Sequence, residues 1–334
     1  MRPSFAQHLL ITGFCLTLLL PVSAAETPPT SARPTTQEAQ KETFTLRFAP
    51  VQGARRVIRM NVVQTGTHVG AKVKSVFRQV VGLDTEYEVL PETPDARIRL
   101  RSTIHAARYQ RDVDGKVVAR YDSAMKTPTT DENSEIFSLL VNFTFVIQMQ
   151  ADGTMGEIED KDNIAEQMMD KLKVSAESQK YVRPAIVASL EGTAFKNIGN
   201  IFASFPHAKV ALGAAWPKRD VVSVESNLIY DGTLTLARRE SGLSTLHVKS
   251  STKPNPALAK GSTVQPLAGT QTGYYLVEDG TGWTKRAHLE QRWTGQVDEM
   301  GQFVAPSAKG SRPLYMKMVL DIKTLDTKAA GSAP

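Results

Sequence analysis

The chain has 334 residues, a formal net charge of +6 and one cysteine, Cys15, which lies inside an N-terminal apolar run. A lone cysteine excludes disulfides and cysteine metal sites, and loss of that run would leave no cysteine nucleophile. The basic excess lacks the interleaved aromatic residues of a nucleic-acid surface, so it reads as solubility or as attraction to an anionic envelope surface.

The run Leu9–Leu20 follows Arg2 and ends in Pro21-Val-Ser-Ala-Ala25, which predicts a secretory signal peptide over residues 1–25, cleaved near Ala24 or Ala25. Export to the periplasm follows from it. The competing reading is a membrane anchor, but the run is shorter than the roughly 20 residues a helical span needs. Residues 26–41 are polar and proline-rich and read as a disordered leader, and 327–334 as a disordered tail. Residues 42–326 read as a single domain.

Within that domain Phe44, Leu46 and Phe48 alternate, and 55–63 forms a strand with Ile58, Met60 and Val62 on one face. Residues 67–81 fit either period, with β-branched content favouring strand. Residues 97–104 alternate strictly, placing Ile98, Leu100 and Ile104 inward and Arg97, Arg99 and Arg101 outward. Asp112-Val-Asp-Gly115 then turns the chain into a return strand. Residues 137–149 carry an apolar side chain at every second position, which predicts one long strand, followed by a turn at Asp152-Gly153. Capping groups in 160–163 open a helix carrying Ile164, Ala165, Met168, Met169 and Leu172, and 178–202 predicts a second, with Pro184 in its first turn. From Val210 onward the pattern is strand after strand, with turns expected at Asp231-Gly232, Ser241-Gly242 and 279–282, closing on 314–325. The sum is an α+β fold: a large curved antiparallel sheet, half-barrel-like, with two central helices packed on it.

No spacing among His68, His105, His207, His247 and His288 forms a local metal site, and no phosphate loop, dinucleotide fingerprint or nucleophile elbow occurs. No catalytic residue and no cofactor is therefore assigned. Two features carry candidate binding chemistry. Phe143, Phe145, Met149, Met168, Met169, Met316 and Met318 supply adaptable apolar surface, serving as core if helices cover the sheet and as a ligand groove if they do not. Arg97, Arg99 and Arg101 form an outward ladder, suited to an anionic surface or simply solvated.

The segments Val146-x-x-x-x-Ala-Asp-Gly153-x-x-x-x-Ile158 and Val210-x-x-Gly213-x-x-Trp216 make the chain resemble a family of exported bacterial proteins of unknown function. Ala214-Ala215 stands where that family would have a polar pair. The resemblance implies export and a β-rich fold, and brings no activity. At the level of fold, the pattern is similar to periplasmic half-barrels that carry lipids or lipoproteins. The expected function is a non-catalytic binding protein of the bacterial envelope, for a lipid or other amphiphile. The alternatives are an envelope scaffold that uses the basic face to meet a protein partner, and a hydrolase assembled from distant strands.

Overall fold

The computed structural model describes residues 42–69, 74–92, 97–125, 131–191, 201–223, 228–254, 267–297 and 310–325. The expected signal peptide, leader and tail lie outside the described residues. The first strands are β1 (Thr43–Phe44), β2 (Arg55–Val69), β3 (Lys74–Val89), β4 (Ile98–Val113) and β5 (Lys116–Asp122). Helix α1 (Glu132–Leu140) precedes β6 (Phe143–Met149) and β7 (Met155–Ile158), and α2 (Lys161–Lys171) and α3 (Ala176–Glu191) follow. The chain then returns to strands: β8 (Val210–Ala211), β9 (Ala215–Ser223), β10 (Leu228–Glu240), β11 (Leu243–Pro254), β12 (Ala268–Glu278), β13 (Thr284–Val297) and β14 (Arg312–Leu325).

One 12-stranded sheet runs in the order β7-β6-β4-β3-β2-β14-β13-β12-β11-β10-β9, with β5 on β4, while β1 and β8 pair separately. Every pairing is antiparallel. Strands close in sequence are neighbours except where β14 meets β2, which joins two meanders into one sheet. The sheet is curved and does not close.

Its inner face is the core. Along β6 the buried residues are Phe143, Phe145, Ile147 and Met149, and along β14 they are Leu314, Met316, Met318, Leu320 and Ile322. Period-two alternation puts each set on one face, and full burial of each such side chain is worth about 1.5–3 kcal/mol.

The curvature shows where the chain straps one end of that face. Phe48 N donates to Ala151 O at 2.7 Å, and the next amide, Ala49 N, donates to Thr281 O at 2.9 Å. Adjacent residues thus tie the β6–β7 turn to the β12–β13 turn, although four strands separate β6 from β13 in the sheet. Phe48, Tyr87, Phe202 and Trp283 pack beneath the strap with ring centroids 5.0–6.4 Å apart. Gly282, at φ +74°, makes the approach possible, since a Cβ there would stand 2.4 Å from Arg47 O.

Several expectations are corrected. Residues 137–140 belong to a helix, not to the strand that starts at Phe143, so three helices accompany the sheet among the described residues rather than two. Asp131 caps α1: its carboxylate accepts from Ser134 N at 2.8 Å, and Asp131 N donates to Ser134 Oγ at 2.9 Å. Phe137 and Leu140, three apart, are its buried face, and Asn142 at φ +59° breaks the helix before β6. Asp231-Gly232 lies within β10 instead of turning the chain. Pro184 lies inside α3 rather than in its first turn, exposed, while Val182 and Ile186 face the core. Asp160 occupies the N-cap of α2 at φ +53° without making a side-chain cap bond.

Candidate functional site

The helices pack against β4, β5 and β7, and α2 against α3. The inner face of the other half of the sheet carries a different kind of residue. Reading across strands in register, Ser250 on β11 faces Gln271 on β12, which faces Gln291 on β13, then Met318 on β14, Gln64 on β2 and Gln79 on β3. All six are buried, and at a strand spacing near 4.8 Å the row spans roughly 24 Å. Each polar member stands at a position whose inward parity calls for an apolar residue; Gln291, for example, lies between Leu289 and Trp293.

Gln271 and Gln291 are 0 % exposed, and neither the oxygen nor the nitrogen of either amide has a hydrogen-bond partner. Ser250 Oγ is also unpartnered. Gln64 Nε2 reaches only the sulfur of Met316, at 3.8 Å, a weak acceptor. Buried polar atoms are normally satisfied, and leaving one unmade costs about 1–3 kcal/mol.

The row ends at an ion pair on β9. Lys218 lies opposite Gly232, which in turn faces Ser250. Its ammonium is 2.5 Å from Asp220 Oδ2, and both side chains are under 5 % exposed. Burial alone would pull the Lys218 ammonium down, but the Asp220 carboxylate and the Tyr275 oxygen outweigh it, and the net shift is upward. The Tyr275 hydroxyl is pushed up to about 12 by burial, and burial raises Tyr230 as well. Within this row the pair is neutral as a unit.

Beside the row, aromatic rings take the place of missing side chains. Trp293 lies across Gly269, where a Cβ would stand 2.6 Å from its Cδ1, and Phe77 lies across Gly66, where a Cβ would stand 2.2 Å from the ring. The face at this point is an apolar floor crossed by a strip of amides.

The structure places the residues singled out from the sequence in two separate regions. Phe143, Phe145 and Met149 line β6, with Met169 buried and Met168 half-buried on α2. Met318 lies in the row itself and Met316 beside it on β14, with β4, β3 and β2 between them and β6. The arginine ladder lies on the outer face and is interleaved with acceptors. Arg97 donates to Gln148 Oε1 at 2.6 Å, Arg99 donates to both oxygens of Glu159 at 2.7 and 2.6 Å, and Arg101 donates to Glu88 at 2.8 Å. The hydrogen bonds from Arg99 hold the Glu159 carboxyl below its ordinary value. Gln64, Gln79, Lys218, Asp220, Ser250, Gln271 and Gln291 went unnoticed in the sequence; the signal was a polar residue at inward parity. Among the described residues no cluster of His, Cys, Asp and Glu could hold a metal ion, and no helix is long and apolar enough to cross a membrane.

The chain belongs to the family described as "Family of unknown function (DUF6263)", whose sequence pattern matches residues 95–284. No curated protein matches it. Among solved structures it is similar to one titled "Lipid-protein interactions in lipovitellin", at 9% identity and a TM-score of 0.48, over 83% of this chain and 25% of that one. The chain therefore spans about a quarter of that protein's length. It is also similar to Pseudomonas aeruginosa OpdQ, at 7% identity and a TM-score of 0.19, over 81% of this chain and 98% of that one. For OccK5 (OpdH) of the same organism the values are 7% and 0.19, over 83% and 99%.

Proposed function

We propose that this member of the DUF6263 family is an exported, non-catalytic binding protein that holds a lipid or other amphiphile against the inner face of its curved sheet. One observation carries the reading: Gln271 and Gln291 are buried side by side on an apolar face with no partner for any of their four polar side-chain atoms. The row is covered by the protein's own side chains, so a ligand would reach it only by parting them; one that is apolar along most of its length and polar at one point would then match both the floor and the strip. The reading is of a binder because the unpartnered side chains are two amides and a hydroxyl, groups that hydrogen-bond readily and exchange protons poorly near neutral pH. Export rests on the N-terminal apolar run and its small-residue exit.

The outer face gives less support to an envelope scaffold working through Arg97, Arg99 and Arg101, because Arg99 and Arg101 are engaged by carboxylates and Arg97 by an amide. The test is native mass spectrometry of the protein purified from its own envelope. The expected result is a processed chain carrying an extra mass that organic solvent releases as an amphiphile. A bare processed chain, recovered without detergent, would overturn the proposal.

A further inference from the structure

We infer that an open cleft away from the amide row binds a small organic amine, an ammonium group carried on an apolar body. The cleft has a volume of about 650 Å³, within the range of small-molecule sites. It lies where β1 meets Leu212 between β8 and β9, the β10–β11 turn and the β12–β13 turn, and shares no residue with the row. Its floor is fixed by the protein's own pairs. The Arg239 guanidinium lies 3.7 Å from the centroid of the Phe44 ring, and its Nε and Nη2 donate to Asp279 Oδ2 at 3.1 and 2.6 Å. Ser244 Oγ donates to Asp279 Oδ1 at 2.5 Å, and Asp279 N donates to Gly242 O at 2.9 Å, which ties the two turns together.

Arg239 and Asp279 therefore cancel, and the charge left for a ligand is that of Glu42 and Glu240. Among the described residues, three carboxylates and one guanidinium line the cleft, a net charge of −2 on a chain whose sum is +6. Glu240 pairs with Arg238, but these side chains are 61 % and 68 % exposed, and pairs so solvated hold weakly, so an incoming ammonium can take the place of Arg238. Leu212 is 56 % exposed and supplies the apolar wall. An anion would meet two carboxylates and a guanidinium already engaged by Asp279. A neutral hydrocarbon would gain the wall and nothing from the rim.

The experiment titrates the full chain with hexylamine, hexan-1-ol, hexanoate and methylamine, read by amide NMR shifts of Leu212, Ser241 and Gly242. The expected result is saturable binding of hexylamine at those amides, at least tenfold tighter than that of the other three. Glu42→Gln/Glu240→Gln should weaken hexylamine at least fivefold while a thermal melt shows a parent-like fold, and Glu42→Gln alone serves the same purpose if the pair of changes disturbs folding. Binding of hexanoate or hexan-1-ol as tight as that of hexylamine would overturn the preference for a cation, and equal binding of methylamine would overturn the role of the apolar wall. Shifts that never saturate, shifts confined to other parts of the chain, or parent-like affinity in the folded variant would overturn the site. The inner-face reading survives any of these outcomes, because none of the residues tested belongs to it.

Discussion

Gln271 and Gln291 stand directly opposite each other on β12 and β13, and neither amide bonds to the other or to any other group. Their side chains are nevertheless fully buried. That arrangement costs folding stability and sets up a measurable property.

Replacing both glutamines by leucine removes the unmade hydrogen bonds and keeps the volume similar. The ligand-free double variant should be more stable than the parent, by about 1–3 kcal/mol per site, and its Tm should rise by several degrees. Differential scanning calorimetry of the stripped proteins decides this. A fall in Tm would mean that the amides already have partners, such as internal water, in the unliganded state.

The Lys218–Asp220 pair should behave asymmetrically. Lys218→Met leaves a buried carboxylate without its cation and should cost about 3–5 kcal/mol in denaturant unfolding. Adding Asp220→Leu should return most of that loss, because two apolar side chains satisfy the site better than one stranded charge. A loss in the double variant equal to the sum of the losses from Lys218→Met and Asp220→Leu alone would show that the two residues act separately.

Outer-face pairs should respond to acid. Arg99 lowers the Glu159 carboxyl from its ordinary 4.5, so the pair's contribution is fully present above that value and is lost as pH falls through the depressed folded-state value. Both groups are partly solvated, so the contribution at neutral pH should be no more than about 1 kcal/mol. The stability difference between the parent and Glu159→Gln should be constant from pH 7 to pH 5 and shrink towards zero at lower pH. A difference that grew on acidification would contradict the sign.

The sheet was legible in the sequence because most of its strands are wet on one side only. Arg97 to Ile104 and Leu314 to Ile322 alternate without interruption, and the paired turn residues Asp114-Gly115 and Ser241-Gly242 take the positive φ values that two-residue hairpins need. Residues 137–141 misled for a physical reason: apolar side chains at 137, 139 and 141 fit a strand, while 137 and 140 fit a helix. The decision fell to the Asp131–Ser134 cap, which lies upstream of the apolar pattern. Asp231-Gly232 misled in the same way, since its glycine answers the crowding of Lys249 and Ser250 on the next strand and not a turn. The amide row could not be seen at all before register was known. Gln64, Gln79, Gln271 and Gln291 come from distant parts of the chain, and only the pairing of β14 with β2 sets them in one line.

That same pairing has a consequence for how the protein is made. β14 is synthesised after every other described strand, yet it sits between β2 and β13 in the middle of the sheet. Until β14 pairs with them, each of those two strands presents a bare hydrogen-bonding edge beside apolar side chains, the combination most prone to wrong association between chains. The facing edges of β2 and β13 are therefore the places where one copy can capture another before β14 is in place.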